Sequence, residues 1–191
     1  VVTAVHKKYV DAGTDMVITC TFGANEKKMA GCGHEIEEVI TAAVANARAS
    51  GAKFVALDIG PIGQLLMPSG TLSFEEAYDI FARQIRCGVS CGVDAIYLET
   101  MSDLLEVKAA VLAAKDLCHL PVFATLTYES SGRTFLGVSP ECAARTLQGL
   151  GVSAIGINCS LGPKEILPIA RRLAAVTSIP MIIKPNAGLP D

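Results

Sequence analysis

The stretch "SAIGINCSLGPKEILPIARRLAAV", residues 153–176, runs from an unbroken apolar segment through a polar end, Asn158 and Cys159, into a Gly-Pro that opens a segment of helical spacing. An apolar run without alternation suits a parallel strand covered on both faces. Proline suits the first turn of a helix, where its missing N–H is not needed. The stretch is therefore one β/α unit with polar residues at its junction. The same succession recurs along the chain. "MVITC" (16–20), "KFVALD" (53–58), "DAIYLE" (94–99), "PVFATLT" (121–127) and "PMIIK" (180–184) read as further strands, joining "SAIGIN" (153–158). They begin at intervals close to the ~30 residues of a βαβ unit.

The connecting segments carry helix signals. "SFEEAYDIFARQIRCGVSCG" opens with Ser73 and Glu76 in capping-box register and repeats apolar residues at Ala77, Ile80, Phe81 and Ile85. Pro140 after Ser139 and Pro163 after Gly162 mark two more starts, and "VVTAVHKKYVDAG" reads as a helix ahead of the first strand. Glycines 13, 51, 92 and 151 each precede a strand by two or three residues, where a left-handed residue ends the preceding helix.

Repeated β/α units build either a doubly wound sheet or a closed barrel. Asp58, Glu99, Thr125 with Thr127, Asn158 with Cys159, and Lys184 with Asn186 fall at or just past the C-terminal ends of different strands. A barrel gathers its chemistry there from many strands, whereas an open sheet uses one or two. Neither a G-x-G-x-x-G nor a Walker motif is present. The expected fold is α/β, a (β/α)8 TIM-barrel type that is incomplete in this chain. About six strands are present and the first and last of the barrel are absent, in one domain spanning residues 1–191.

The chain has 191 residues, 51% hydrophobic and 18% charged, enough for one substantial core. A net charge of −3 without a basic stripe argues against nucleic acid as a partner. The apolar runs fall short of the roughly 18 residues that span a bilayer, and no basic-then-apolar leader is evident, which argues against a membrane partner. The seven cysteines are odd in number and dispersed. Reduced thiols and a cytoplasmic location are the expectation.

For Cys159 the residues alone leave three roles open: nucleophile, metal ligand or small buried side chain. His6, His34 and His119 fall on helices or helix ends, away from the strand ends where a base would be needed. Glu99, ending the apolar run "AIYLE", either meets an ammonium group or forms an ion pair with Lys184 or an arginine. Asp58 has the same two readings. Asn186 after Pro185 suits a turn, and Thr125 and Thr127 suit strand packing.

Several stretches together carry a resemblance: "YVDAGTDMVITCTFGAN", "DIGPIG", "PSGTLSFEEAYDIFARQI", "GVDAIYLETMSDLLEVKAAV", "TYESSGRTFLGVSPE", "GINCSLGP" and "KPNAGLP". In this order they resemble the homocysteine S-methyltransferase family, above all its cobalamin-dependent methionine synthase branch. The resemblance implies a (β/α)8 barrel with zinc at its C-terminal mouth, held by three cysteine thiolates, the first matched by Cys159. It implies that Glu99 receives the homocysteine amino group and that Asn186 lies near the zinc as a labile ligand; Asp58 and Asn158, at neighbouring strand ends, are expected beside Glu99 as substrate-binding residues. Methylcobalamin and methyltetrahydrofolate would be carried on other domains of a multidomain methyltransferase. The family's other two zinc thiolates come from a G-G-C-C motif that this chain lacks, so the chain alone is expected to hold zinc weakly and to be inactive. The alternatives are a non-catalytic barrel fragment or scaffold, or a homocysteine methyltransferase that uses betaine or S-methylmethionine.

Overall fold

The computed structural model describes residues 1–188, so Leu189 and Pro190 of the "KPNAGLP" motif lie outside the described residues. Helices and strands alternate throughout: α1 (Val2–Asp11), β1 (Met16–Ile18), α2 (Ile36–Arg48), β2 (Phe54–Ile59), α3 (Phe74–Ser90) and β3 (Ala95–Met101). They continue as α4 (Leu104–Leu117), β4 (Val122–Leu126), α5 (Pro140–Gly149), β5 (Ala154–Asn158), α6 (Pro163–Ala174) and β6 (Met181–Lys184). All pairings are parallel and the sheet order is β1 to β6 without a reversal. A doubly wound sheet reverses its order at a switch point, so this is the open arc of an incomplete TIM-type barrel.

Local chemistry sets the element ends. Ser73 caps α3 by accepting the Glu76 N–H at 3.1 Å, while the Glu76 carboxylate accepts the Ser73 N–H at 2.9 Å. Ser139 caps α5 ahead of Pro140, and α6 starts at Pro163. Glycines 13, 51, 92 and 151 all have positive φ, as a left-handed helix stop requires. "MVITC" pairs over a shorter span than its composition suggests, because the backbone leaves the ladder after the Thr19 N–H reaches the Ala56 carbonyl.

The two faces of the sheet differ in kind. Val55, Leu57, Ile59, Ile96, Leu98, Val122, Ala124, Ile155 and Ile157 point outward into the main core, against Ile40, Phe81, Ile85, Val107 and Leu147 of the helices. The alternate residues form a smaller, separate cluster on the inner face, Ala56, Ala95 and Tyr97 with Met16, Ile18, Phe123 and Ile182. Period-two alternation thus sends each strand's even-numbered or odd-numbered set to one face. At Gly156 the inner face has no room for a side chain, since a Cβ there would fall 1.7 Å from the Ile182 carbonyl oxygen of β6. Among the described residues no helix is long and apolar enough to cross a membrane.

Candidate functional site at the C-terminal rim

Following the inner face upward, the apolar cluster gives way to polar residues at the strand ends. Asp58 of β2 pairs in register with Tyr97 of β3, Thr125 of β4 with Gly156 of β5, and Asn158 of β5 with Lys184 of β6. The same parity places Glu99 two residues above Tyr97 on β3. The sheet therefore brings Asp58, Glu99, Asn158 and Lys184 to one rim.

Two carboxylates and one ammonium set the electrostatics there. Lys184 Nζ lies 2.9 Å from Glu99 Oε2 and 4.9 Å from the centre of the Tyr97 ring. Of the two readings of Glu99 open from sequence, the ion pair is the arrangement present. Burial works to lower the Lys184 ammonium, but its bonds to Glu99 and Tyr97 outweigh that, and its pKa is raised. Asp58 is buried, and burial pushes its carboxyl up to about 8; the charge of Glu99 adds to the push, while Lys184 and the Phe22 amide oppose it. That shift favours the protonated form of Asp58 near neutral pH, and its Oδ1 has no hydrogen-bond partner. A buried polar atom without a partner is uncommon in a folded protein, and here it sits on the wall of a cavity.

That cavity, about 580 Å³, lies along the inner face and is lined by Asp58, Tyr97, Phe123, Ile182 and Lys184 together with His6 and Tyr9 of α1 and Cys20. His6 is a correction to the sequence reading. It lies on a helix, yet it is buried, with Nε2 3.9 Å from the sulfur of Cys20 just beyond β1. Helical spacing could not reveal this, because the contact depends on how α1 lies across the sheet.

The rim is braced by Asn158. Its Oδ1 accepts from the Thr100 N–H and the Thr125 hydroxyl, both at 2.8 Å, and its Nδ2 donates to Thr100 Oγ1 at 2.7 Å. Thr125 is thus more than strand packing, since it also meets the Tyr97 hydroxyl at 3.3 Å. Thr100, Cys159 and Ser160 have φ of 59°, 65° and 58°, a left-handed conformation uncommon for non-glycine residues. All three lie at the rim, and at Thr100 the β3–β4 register shifts. Such strain, of order 1–3 kcal/mol per residue, tends to cluster at functional sites.

Cys159 is exposed, not buried, and its N–H donates to the Lys184 carbonyl at 3.1 Å. The Asn186 N–H donates to the Leu161 carbonyl at 3.0 Å, so the backbone holds the Cys159 loop beside the segment carrying Asn186. A catalytic zinc takes three protein ligands. Among the described residues no group of three or more His, Cys, Asp or Glu side chains could hold a metal. These residues do not fit a zinc ion by themselves, and no reaction step is assigned to one.

Glu106 on α4 was not singled out by sequence, although it is a carboxylate in the first turn of a largely apolar helix. It is buried and accepts the Ile62 N–H at 2.7 Å, which fixes the "GPIG" loop behind Asp58. Burial pushes its pKa up to about 7, against the Ile62 bond and Lys28.

Comparison with known proteins fits this architecture. Residues 1–191 match the family model described as homocysteine S-methyltransferase. The chain is 33% identical over 207 residues to a methionine synthase of Mycobacterium leprae and 33% identical over 205 residues to one of Mycobacterium tuberculosis. Each alignment covers all of this chain and 17% of the relative, so the chain spans about a sixth of the length of these proteins. The metallated form of the homocysteine methyltransferase MmuM from Escherichia coli superposes with a TM-score of 0.86 at 22% identity, over 97% of this chain and 72% of that one.

Proposed function

This chain belongs to the homocysteine S-methyltransferase family, and from that premise we propose that residues 1–191 are the homocysteine-binding barrel segment of a methionine synthase type enzyme. The observation that carries this reading is the convergence of Asp58, Glu99, Asn158 and Lys184 on one rim above a cavity with an unpartnered carboxyl oxygen. An amino acid brings one ammonium and one carboxylate to such a rim. The substrate ammonium takes the place of Lys184 on Glu99 and draws Asp58 into its ionised form. The released Lys184 ammonium then meets the substrate carboxylate, and Asn158 keeps the rim in shape. Cys159 and Asn186 are proposed as donors toward a zinc ion whose further thiolates come from outside the described residues. Zinc, if bound there, would supply Lewis acidity toward a thiol. The methyl donor, methylcobalamin recharged from methyltetrahydrofolate on other domains, belongs to the same proposal. So does a cytoplasmic location, which the seven unpaired cysteines support.

Calorimetric titration of the full-length protein with L-homocysteine tests this. Saturable binding is expected, weakened at least about tenfold in Glu99→Gln, the loss of a charged hydrogen-bonded contact worth ~1.5–3 kcal/mol. Undiminished binding in that variant would remove Glu99 from the site. The 191-residue chain on its own is expected to hold zinc weakly, and tight stoichiometric zinc on it would overturn the assignment of ligands.

A second reading has an observation of its own. The Glu99–Lys184 pair leaves Glu99 already satisfied, as in a non-catalytic scaffold. Absence of homocysteine binding by the full-length protein would favour it.

A further inference from the structure

Away from the rim, Cys87 in the last turn of α3 and Cys91, the residue that caps its C-terminus, lie one turn apart on the side that faces α2. Residues at i and i+4 of a helix have Cβ atoms roughly 5–6 Å apart, so both thiols project from one face. Their surroundings hold them together. Cys87 Sγ donates to the Glu37 carbonyl of α2 at 3.8 Å, and Cys91 Sγ lies 3.5 Å from the Thr41 hydroxyl one turn further along α2. Cys87 is buried and Cys91 half-buried. A groove of about 380 Å³, lined by Glu37, Thr41, Arg83, Arg86, Cys87 and Ser90, opens Cys87 to solvent, and Cys91 beside it is itself partly exposed. Burial pushes the Cys87 thiol up, and the neighbouring Cys91 adds to that.

We propose that Cys87 and Cys91 form a dithiol site for a trivalent arsenical, reached through the groove between α2 and α3. Two sulfurs fixed on one helical turn act as a chelate, whereas the other cysteines offer single thiols or lie on different elements. The chemistry balances without an oxidant or reductant. With phenylarsine oxide, two S–H bonds and the arsenic–oxygen link give way to two arsenic–sulfur bonds, and the oxygen leaves with both protons as water. Arsenic stays trivalent. Protonated thiols suit this reaction, since the arsenical's oxygen removes their protons. A reagent that needs a preformed thiolate has no such help.

The test is mass spectrometry of the chain incubated with phenylarsine oxide and then challenged with excess monothiol. The expected result is one adduct, with the mass of the arsenical less one water, that survives a monothiol and is removed by a dithiol. Cys91→Ser, at the more exposed of the two positions, is expected to weaken retention by about 100-fold or more, the usual scale on which a second linked contact acts. A chain with Cys20, Cys32, Cys118, Cys142 and Cys159 replaced by serine is expected to keep the adduct. Loss of the wild-type adduct to monothiol would overturn the proposal. So would its retention in Cys91→Ser, which would place the arsenical elsewhere.

Discussion

The outward and inward faces of the sheet are built from the same strands and answer to different demands. On the outward face the residues are almost wholly aliphatic and buried under five helices, α2 to α6. On the inward face a thin apolar layer lies beneath a buried aspartate with a raised pKa, an ion pair and three strained residues. The outer face can hold the fold because it asks nothing else of its residues. The inner face gives up packing and solvation to keep polar atoms available.

The largest expected consequence is a difference between two phenylalanines. Phe81 of α3 is completely buried on the outer side, whereas Phe123 of β4 is half-buried on the inner. Phe81→Ala is expected to cost ~3–5 kcal/mol, from lost transfer energy and the cavity left behind. Phe123→Ala is expected to cost about 1 kcal/mol, since much of its surface already meets solvent. Urea denaturation of both variants checks this. Equal losses would mean that the inner face carries as much of the stability as the outer.

Much of this contrast was legible in the sequence. Unbroken β-branched runs announced strands covered on both sides, and Ser73, Pro140 and Pro163 fixed helix starts through local backbone chemistry. Asp58, Glu99 and Asn158 stood out because each falls at the end of an apolar run, and the sheet places them on one rim. Tyr97 was within reach of the same logic, standing two residues before Glu99 on the same face. The cysteines were less legible, since residue type favours burial and yet only Cys87 is buried. The left-handed conformations of Cys159 and Ser160 follow from the path of a loop, which no residue preference at those positions signals. His6 and Glu106 needed the packing of helices on the sheet, a long-range fact.

The raised pKa of Asp58 gives the comparison a pH dependence. A carboxyl held at about 8 in the folded protein and near 4 in the unfolded chain binds a proton only when folded between those values. Stability contributed by this group is therefore present at low pH and lost as pH rises from about 4 to about 8, at up to ~1.4 kcal/mol per pH unit. Glu106, at about 7, acts in the same direction over a narrower window. Asp58→Asn is expected to flatten the slope, leaving the part due to Glu106. A slope unchanged in that variant would mean that Asp58 is ionised in the folded protein and that the inner face is better solvated than its burial implies.

The smallest effect isolates the ion pair. Lys184 is half-exposed while Glu99 is mostly covered, so Lys184→Met is expected to cost only about 1 kcal/mol, in the range of pairs near solvent. Its signature lies elsewhere. Lys184 is one of the groups that hold the Asp58 carboxyl down, and Glu99 is one that pushes it up. Removing the lysine leaves Glu99 unopposed, so Asp58 must titrate above about 8, and the stability loss with rising pH must extend further into the alkaline range. Carboxyl-carbon NMR of Asp58 across the titration reads this directly. A midpoint that stays in place would show that Asp58 does not sense Lys184, and a rim whose groups are uncoupled could not exchange Lys184 for a substrate ammonium as the proposed function requires.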